Sequence, residues 1–208
     1  MADHDFQTVL DQYNERAARE ARATPQEVFA RRDDYLLHVG EEAAHFLRAL
    51  VVARGAKRIL EIGTSYGYST LFLADAARQT GGKVTTLELS GSKLAYARSQ
   101  LTKAGLASHV DWREGDALAL LDRLDGPFDF VLLDLWKELY IPCFERFLPK
   151  LAENAIIAAD NMLEPKIVRQ EAEAYRAKVR TVASLQSVLL PVGQGIELSC
   201  LWRTPPSA

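Results

Sequence analysis

Short β-rich runs alternate with helical stretches through the middle of the chain, and this alternation limits the possible folds more than any other feature. Successive runs are separated by about ten or more residues with helical periodicity. The runs lie at Arg58 to Ile62, Lys83 to Glu88, Val110 to Arg113, Phe128 to Leu133 and Ala155 to Ala159. Repeated strand–helix units build a parallel sheet with helices on both faces. The pattern therefore predicts a doubly wound α/β fold, in which ligands bind at the carboxyl ends of the strands.

Two more β-rich runs lie near the end of the chain, at Thr181 to Leu190 and Gly195 to Arg203. Only Pro191 to Gln194 connects them, and so short a connection forces the two strands to pair antiparallel. A helix is predicted before them, from about Pro165 to Val179. We therefore expect a mostly parallel seven-stranded sheet with an antiparallel edge strand.

Three helices are predicted before the first strand, because apolar residues recur there at helical spacing. One includes Phe6 to Ala17, a second covers about Gln26 to Leu37, and a third covers about Glu41 to Arg54. Their apolar faces either join two copies in a homodimer or pack on their own chain. The sequence leaves both arrangements open.

The length favours a single domain. A chain of 208 residues, 48% of them hydrophobic, can bury one sizeable core, whereas two domains would each be undersized. We expect one domain over residues 1–208, with the amino-terminal helices at 1–54 and the core at 55–204. Residues Thr204 to Ala208 are expected to form a frayed tail.

Composition and charge exclude several kinds of partner. The 25 Lys and Arg residues are interspersed with 28 Asp and Glu residues, for a net charge of −3, which argues against a nucleic-acid or anionic membrane surface. The longest apolar runs are about five residues, far below the ~20 that a membrane helix needs. The charged first segment lacks a signal-peptide core, so we expect a cytoplasmic protein, in which Cys143 and Cys200 are reduced core thiols.

A glycine-containing loop follows the first predicted strand, in the segment RILEIGTSYGYST. The strand ends in Glu61, and Gly63 and Gly67 bracket a tight turn that leads into a helix. Glycine has no side chain to block a ligand and tolerates a positive φ. The dinucleotide-binding fingerprint requires further glycines where this chain has Ser65 and Tyr68, so a nicotinamide or flavin cofactor is not favoured.

Acidic and glycine residues at the next two strand ends suggest a nucleoside. Glu88 closes the second strand, where its carboxylate could accept hydrogen bonds from both hydroxyls of a ribose. The turn from Glu114 to Ala117, which includes Gly115, could lie along an adenine. The alternatives are a solvated carboxylate at Glu88 and an acid that only stabilises the loop at Glu61.

Residues with oxygen-bearing side chains directly follow the fourth and fifth predicted strands. Asp134 follows one of them, and Asp160 and Asn161 follow the other. Adjacent parallel strands lie ~5 Å apart, so these side chains should converge. Two carboxylates and an amide oxygen favour a hard cation such as Mg²⁺. The alternative is that they cap helices and form turns, as Asp and Asn commonly do.

Lys137 lies three residues after Asp134 and could reach the same pocket. It could act as a base if burial or a cation lowers its pKa, whereas the alternative is an exposed lysine. Trp136 could form a wall of the pocket or simply pack. The four histidines match no metal-ligand spacing and are expected to have surface or packing roles; they are His4, His38, His45 and His109.

The segments LEIGTSYGYST, LELS, LDLWKELY and AADN resemble the small cation-dependent O-methyltransferases, which include animal catechol and plant caffeoyl-CoA O-methyltransferases. The resemblance extends from about His38 to Trp202. It implies a Rossmann-like methyltransferase fold, S-adenosylmethionine as methyl donor, and Lys137 as general base. It also implies Mg²⁺ ligands at Asp134, Asp160 and Asn161. The cofactor-binding residues it implies are Val39, Glu61, Gly63, Thr64, Ser65, Ser69, Glu88, Leu89, Gly115, Ala117, Asp134 and Trp136.

The chain departs from these relatives around the expected acceptor site. Leu135 replaces the histidine of the animal enzymes and the alanine of the plant enzymes, and Pro191 falls about where the animal enzymes have an acceptor-binding glutamate. The segment after Asn161 also lacks the insertion by which plant enzymes recognise a coenzyme A thioester. A small diphenol is therefore the expected acceptor.

The sequence thus predicts Mg²⁺-dependent transfer of a methyl group to one hydroxyl of a vicinal diphenol. One alternative is a methyltransferase of the same fold that works without metal on another small molecule, a nitrogen atom or a macromolecule. The other is a non-catalytic nucleoside-binding module. The lack of a basic surface and the pair Asp160 and Asn161 oppose the first alternative, and Lys137 beside a complete ligand set opposes the second.

Overall fold

The computed structural model describes residues 2–202 and places seven strands in one sheet. The predicted tail at Thr204 to Ala208, the predicted last strand residue Arg203 and the side chain of His4 lie outside what it describes. The strands are β1 Arg58–Ile62, β2 Lys83–Glu88, β3 Val110–Glu114, β4 Phe128–Leu133, β5 Leu151–Ala159, β6 Leu185–Leu190 and β7 Ile196–Leu201. Their order across the sheet is β3-β2-β1-β4-β5-β7-β6.

The strand pairing confirms the predicted fold class. Strands β1 to β5 pair in parallel, and the edge strand β6 pairs antiparallel with β7. Strand β7 also pairs antiparallel with β5, so it is inserted between β5 and the edge. Strand order reverses between β1 and β4, which is where a doubly wound sheet opens a crevice for ligands.

Helices cover both faces of the sheet. They are α1 Ala2–Glu20, α2 Pro25–Ala30, α3 Glu41–Arg54, α4 Tyr68–Thr80, α5 Gly91–Lys103, α6 Ala117–Arg123, α7 Tyr140–Phe147 and α8 Arg169–Arg180. Consecutive strand residues point to opposite faces, so Ile59 belongs to the core beneath α3 and α4, while Leu60 belongs to the core beneath α7 and α8. Within residues 2–202, no helix has both the length and the apolar character needed to cross a bilayer.

The amino-terminal helix packs on its own chain. Val9, Leu10 and Tyr13 are buried against the core that contains Phe72. The hydroxyl of Tyr13 donates to the carbonyl oxygen of Tyr66 at 2.6 Å, which fastens α1 to the loop after β1. The apolar face of α1 therefore has a partner within the chain.

The prediction of the second helix is wrong over most of its length. Helix α2 ends at Ala30, and only a short 3-10 turn, Arg32–Asp34, follows within the predicted span of Gln26 to Leu37. Beyond that turn, tertiary contacts replace helical hydrogen bonds: the backbone N–H of Leu36 donates to the Glu20 carboxylate at 2.6 Å. The positive φ of 44° at Leu37 is incompatible with a continuing helix.

Several later predictions also had wrong bounds; strand β5, for example, begins at Leu151 instead of Ala155. The helix predicted from Pro165 starts as a 3-10 turn, and α8 begins at Arg169. The strand predicted from Thr181 begins only at Leu185, because the N–H groups of Thr181, Val182 and Leu185 close turns onto preceding carbonyls. Both cysteines are free thiols; Cys143 is buried, whereas Cys200 is only partly buried.

Candidate active site

The loop between β1 and α4 lies at the point where strand order reverses. Gly63 and Gly67 have φ angles of 103° and 89°, which side chains rarely adopt. A Cβ on Gly63 would lie 1.9 Å from the carbonyl oxygen of Asp134. Glycine is therefore required here because the chain itself approaches closely, bringing the ends of β1 and β4 together.

Glu61 lies beneath this loop and is fully buried. Its carboxylate accepts hydrogen bonds from the hydroxyls of Ser69, Thr70 and Thr86, each at 2.6 Å. Burial raises the pKa of Glu61 to about 7, and the three hydroxyl donors act in the opposite direction. Thr64 belongs to the same cluster, since its hydroxyl lies 2.5 Å from that of Thr86. Glu61, Thr64 and Ser69 thus form a buried polar cluster that joins β1, β2 and α4.

Hydrogen bonds to Glu88 connect the carboxyl ends of β1, β2 and β3. Its carboxylate accepts hydrogen bonds from the backbone N–H of Ser65 at 2.8 Å and of Ser90 at 2.9 Å. Its backbone carbonyl accepts from the N–H of Gly115 at 2.8 Å. Each carboxylate oxygen has a second lone pair, so the half-buried side chain can still accept hydrogen bonds from hydroxyl groups. The structure therefore brings Ser65, Glu88 and Gly115 together.

Apolar side chains are exposed around these strand ends. Leu89 is 72% exposed after β2, and Trp136 is 40% exposed after β4, on the two sides of β1. Ala117 begins α6 and is half-buried. Val39 is buried, and a Cβ on Gly193 would lie 3.0 Å from its carbonyl oxygen. Val39 is therefore packed against the β6–β7 loop.

Asp134 and Asp160 lie next to each other at the ends of β4 and β5. The backbone N–H of Asp134 donates to Ile62 at 3.0 Å, and that of Asp160 donates to Leu133 at 3.1 Å, so both residues continue the hydrogen-bond ladder of the sheet. The Asp160 side chain is buried, and neither of its carboxylate oxygens has a hydrogen-bond partner of good geometry among the described residues. The capping role considered for Asp160 therefore does not account for its carboxylate.

The electrostatics of this acidic pair favour a cation. Burial and the neighbouring charge of Asp134 raise the pKa of Asp160 to about 8, and burial also raises the pKa of Asp134. A buried carboxylate without donors of good geometry, such as that of Asp160, is costly, and a divalent cation would offset that cost. Within residues 2–202, no group of three His, Cys, Asp or Glu side chains is placed to hold a metal ion. If this pair held a metal, a third protein ligand would have to come from another residue type, and the amide oxygen of Asn161 follows Asp160 directly in the chain.

Lys137 is only 8% exposed, so the interpretation of a solvated lysine is wrong. Its Nζ donates to the Asn161 Oδ1 at 2.9 Å, to the carbonyl oxygen of Leu135 at 3.3 Å and to the hydroxyl of Tyr140. Burial lowers the pKa of Lys137 to about 8, although Asp134 and Asp160 oppose this shift. The structure thus brings together the predicted base and the three predicted metal ligands.

Two residues of this network were not predicted from the sequence. The Tyr140 hydroxyl accepts from Lys137 and lies 2.9 Å from the carbonyl oxygen of Leu133, its potential acceptor. Its position three residues after Lys137 is a local signal that could have identified it. Gln194 accepts a hydrogen bond from the Asn161 Nδ2 at 2.8 Å, but the two residues are 33 positions apart in the sequence, so there is no local signal.

Comparisons with known proteins define the class to which this fold and site belong. A family model described as O-methyltransferase matches residues 17–201. The chain therefore belongs to the O-methyltransferase family, whose members use S-adenosylmethionine, and the resemblance stated from the sequence is confirmed.

Individual relatives agree with this assignment. The chain is 29% identical to caffeoyl-CoA O-methyltransferase 1 of Zea mays, over 95% of this chain and 84% of the relative. It is 34% identical to a catechol O-methyltransferase of Niastella koreensis, over 65% of this chain and 62% of the relative. Among solved structures, the Bacillus cereus O-methyltransferase in complex with SAH is 28% identical, with a TM-score of 0.77 over 93% of this chain and 90% of that one. TomG of Streptomyces achromogenes in complex with SAM is 29% identical, with a TM-score of 0.75 over 83% and 86%.

Proposed function

We propose that this protein transfers a methyl group from S-adenosylmethionine to one hydroxyl of a vicinal diphenol in a Mg²⁺-dependent reaction. The observation that carries the proposal is the buried Asp160 carboxylate, which has no hydrogen-bond partner of good geometry among the described residues and lies beside Asp134 and one residue before Asn161. The names of the relatives, which specify caffeoyl-CoA and catechol, support a small phenolic acceptor. Residues 1–208 would form one methyltransferase domain.

The cofactor would occupy the crevice at the ends of β1, β2 and β4. The Glu88 carboxylate would accept hydrogen bonds from the ribose hydroxyls, and the exposed surfaces of Leu89 and Trp136 would cover the adenine. When bound, S-adenosylmethionine supplies a methyl group activated by its sulfonium. The buried cluster around Glu61 would hold the glycine loop in place, since Thr64 of that loop contacts Thr86, which in turn donates to Glu61.

Asp134, Asp160 and Asn161 would hold the cation. A bound Mg²⁺ would act as a Lewis acid that lowers the pKa of an acceptor hydroxyl. Lys137 would accept the hydroxyl proton at Nζ, since its lowered pKa leaves a neutral fraction near physiological pH. The carbonyl of Leu135 and the hydroxyl of Tyr140 would keep Nζ in place while it does so.

The two alternatives explain less of the structure. A metal-independent methyltransferase gives no reason for burying Asp160 beside a second carboxylate. A nucleoside-binding module gives no reason for burying Lys137 in contact with Asn161. A methyl-transfer assay with catechol and labelled S-adenosylmethionine tests the proposal directly.

Chelator-treated protein is expected to lose methyl transfer to catechol and to recover it when Mg²⁺ is added. The reason is that the proposed ligands are oxygen donors, which select hard cations. Labelled product is measured over a Mg²⁺ titration, with Asp160→Asn as the variant that should not recover. Full activity in a preparation verified to be metal-free would contradict the metal-dependent reaction.

Glu88→Ala is expected to weaken S-adenosylmethionine binding by about 1 to 3 kcal/mol, because charge-assisted hydrogen bonds to the ribose are lost. Isothermal calorimetry measures the change. Glu171→Ala is the control and should keep the affinity of the unmodified protein, since Glu171 is exposed on α8 and belongs to no proposed cofactor contact. Unchanged affinity in Glu88→Ala would remove Glu88 from the cofactor site.

A further inference from the structure

Gln194 lies in the loop between β6 and β7, and its side chain contacts Asn161, one of the proposed cation ligands. Its side-chain Oε1 accepts a hydrogen bond from the Nδ2 of Asn161 at 2.8 Å. Its backbone carbonyl accepts from the N–H groups of Leu163 at 3.0 Å and Glu164 at 3.1 Å. Gln194 is therefore bound both to the Asn161 side chain and to the segment that follows it.

Backbone hydrogen bonds fix the β6–β7 loop on both sides of Gln194. The N–H of Met162 donates to the carbonyl of Gly195 at 2.9 Å, and the N–H of Gly195 donates to the carbonyl of Val192 at 2.9 Å. A Cβ on Gly195 would lie 2.6 Å from the Leu163 side chain, so the two segments are in direct contact. Because the backbone is fixed on both sides, the Gln194 side chain meets Asn161 from a defined direction.

The hydrogen bonds of Asn161 have a defined polarity. A carboxamide presents an acceptor oxygen on one edge and a donor nitrogen on the other. Lys137 contributes only donors when it is charged, so Asn161 must turn its Oδ1 toward Lys137, which lies 2.9 Å away. The nitrogen of Asn161 then faces Gln194, which accepts from it. A reversed Asn161 would place its NH₂ group against the ammonium group.

A metal ligand requires the same orientation, because a cation binds the amide oxygen and is repelled by the NH₂ group. We propose that Gln194 is a positioning residue that holds the Oδ1 of Asn161 toward the divalent-cation site. This inference rests on the proposed function. Without an acceptor at position 194, only the contact with Lys137 would orient the Asn161 amide, so its Oδ1 would be held less firmly toward the cation.

The test compares three variants with the unmodified protein. Gln194→Leu removes the acceptor, Gln194→Glu keeps an acceptor, and Gln186→Leu makes the same change as the first at an exposed position on β6. Calorimetry measures Mg²⁺ binding in the presence of S-adenosylhomocysteine, and separately the binding of S-adenosylhomocysteine. Loss of a group that orients a metal ligand typically costs 10- to 100-fold in metal affinity.

We expect Gln194→Leu to bind Mg²⁺ about 10- to 100-fold more weakly, with unchanged binding of S-adenosylhomocysteine. Gln194→Glu should bind Mg²⁺ at least as tightly as the unmodified protein, and Gln186→Leu should match it. In ¹⁵N NMR spectra, the side-chain NH₂ of Asn161 should be protected from exchange in the unmodified protein and in Gln194→Glu, but not in Gln194→Leu. Excess Mg²⁺ should restore most of the kcat of Gln194→Leu.

Two results would overturn this inference and leave the proposed function unaffected. One is unchanged Mg²⁺ affinity in Gln194→Leu, and the other is an equal loss of Mg²⁺ and S-adenosylhomocysteine binding, which would indicate a purely structural role. If the unmodified protein binds no Mg²⁺, the metal dependence in the proposed function fails and the inference fails with it. Mg²⁺ binding by the unmodified protein therefore distinguishes failure of the inference from failure of the proposed function.

Discussion

Lys137→Ala is expected to lower kcat by about 10² to 10⁴, while the affinity for S-adenosylmethionine changes little. The reason is that Lys137 is the buried amine at the acidic cluster, where burial lowers its pKa to about 8. Its Nζ lies 2.9 Å from Asn161, so a hydroxyl bound at the proposed cation site would be within its reach. Steady-state kinetics with catechol and calorimetry with the cofactor measure the two quantities separately.

The same substitution at Lys57 is the matched control. Lys57 is exposed just before β1, at the opposite end of the strands, and Lys57→Ala should retain the kcat of the unmodified protein. The melting temperature of each variant shows whether a loss of activity results from a loss of stability. A defect of Lys137→Ala confined to cofactor affinity would assign Lys137 to the cofactor instead of the proton.

Much of the sheet was predictable because its strands are short β-rich runs separated by helical stretches. Strands β1, β2 and β4 have the predicted bounds. Most residues of β1 and β4 are buried, and β2 is rich in β-branched residues, so each leaves a local signal. The convergence of Asp134 and Asp160 was predictable for a topological reason: the carboxyl ends of neighbouring parallel strands meet at one edge.

The parts that were not predicted depend on contacts between distant residues. Residues 31–37 carry helical periodicity, but a carboxylate on α1 binds the backbone N–H of Leu36 and a left-handed residue follows. Gln194 looks like an ordinary turn residue until the fold places it against Asn161. Glu61 shows the same limit, because the sequence did not reveal that three hydroxyl groups surround its carboxylate.

A catechol is expected to react with a kcat/KM at least about 10² higher than that of the corresponding monophenol. Mg²⁺ prefers octahedral coordination by oxygen, so a cation held by Asp134, Asp160 and Asn161, as proposed, would have room for two neighbouring acceptor oxygens. A vicinal diphenol supplies both of them. A monophenol supplies one, leaves the other position to water, and loses the fixed orientation that directs its oxygen toward the methyl group.

Sites that bind a substrate hydroxyl can reject the analogue that lacks it by up to ~10⁴ to 10⁵, and a replacement water reduces this penalty. The comparison is made at saturating S-adenosylmethionine and Mg²⁺, with Asp160→Asn assayed on both acceptors as a control. If chelation is the source of selectivity, the variant should lose activity mainly with the catechol, so that the two acceptors become more alike. Values of kcat/KM that agree within a few fold in the unmodified protein would show that it does not select its acceptor by bidentate chelation, and would favour the metal-independent alternative.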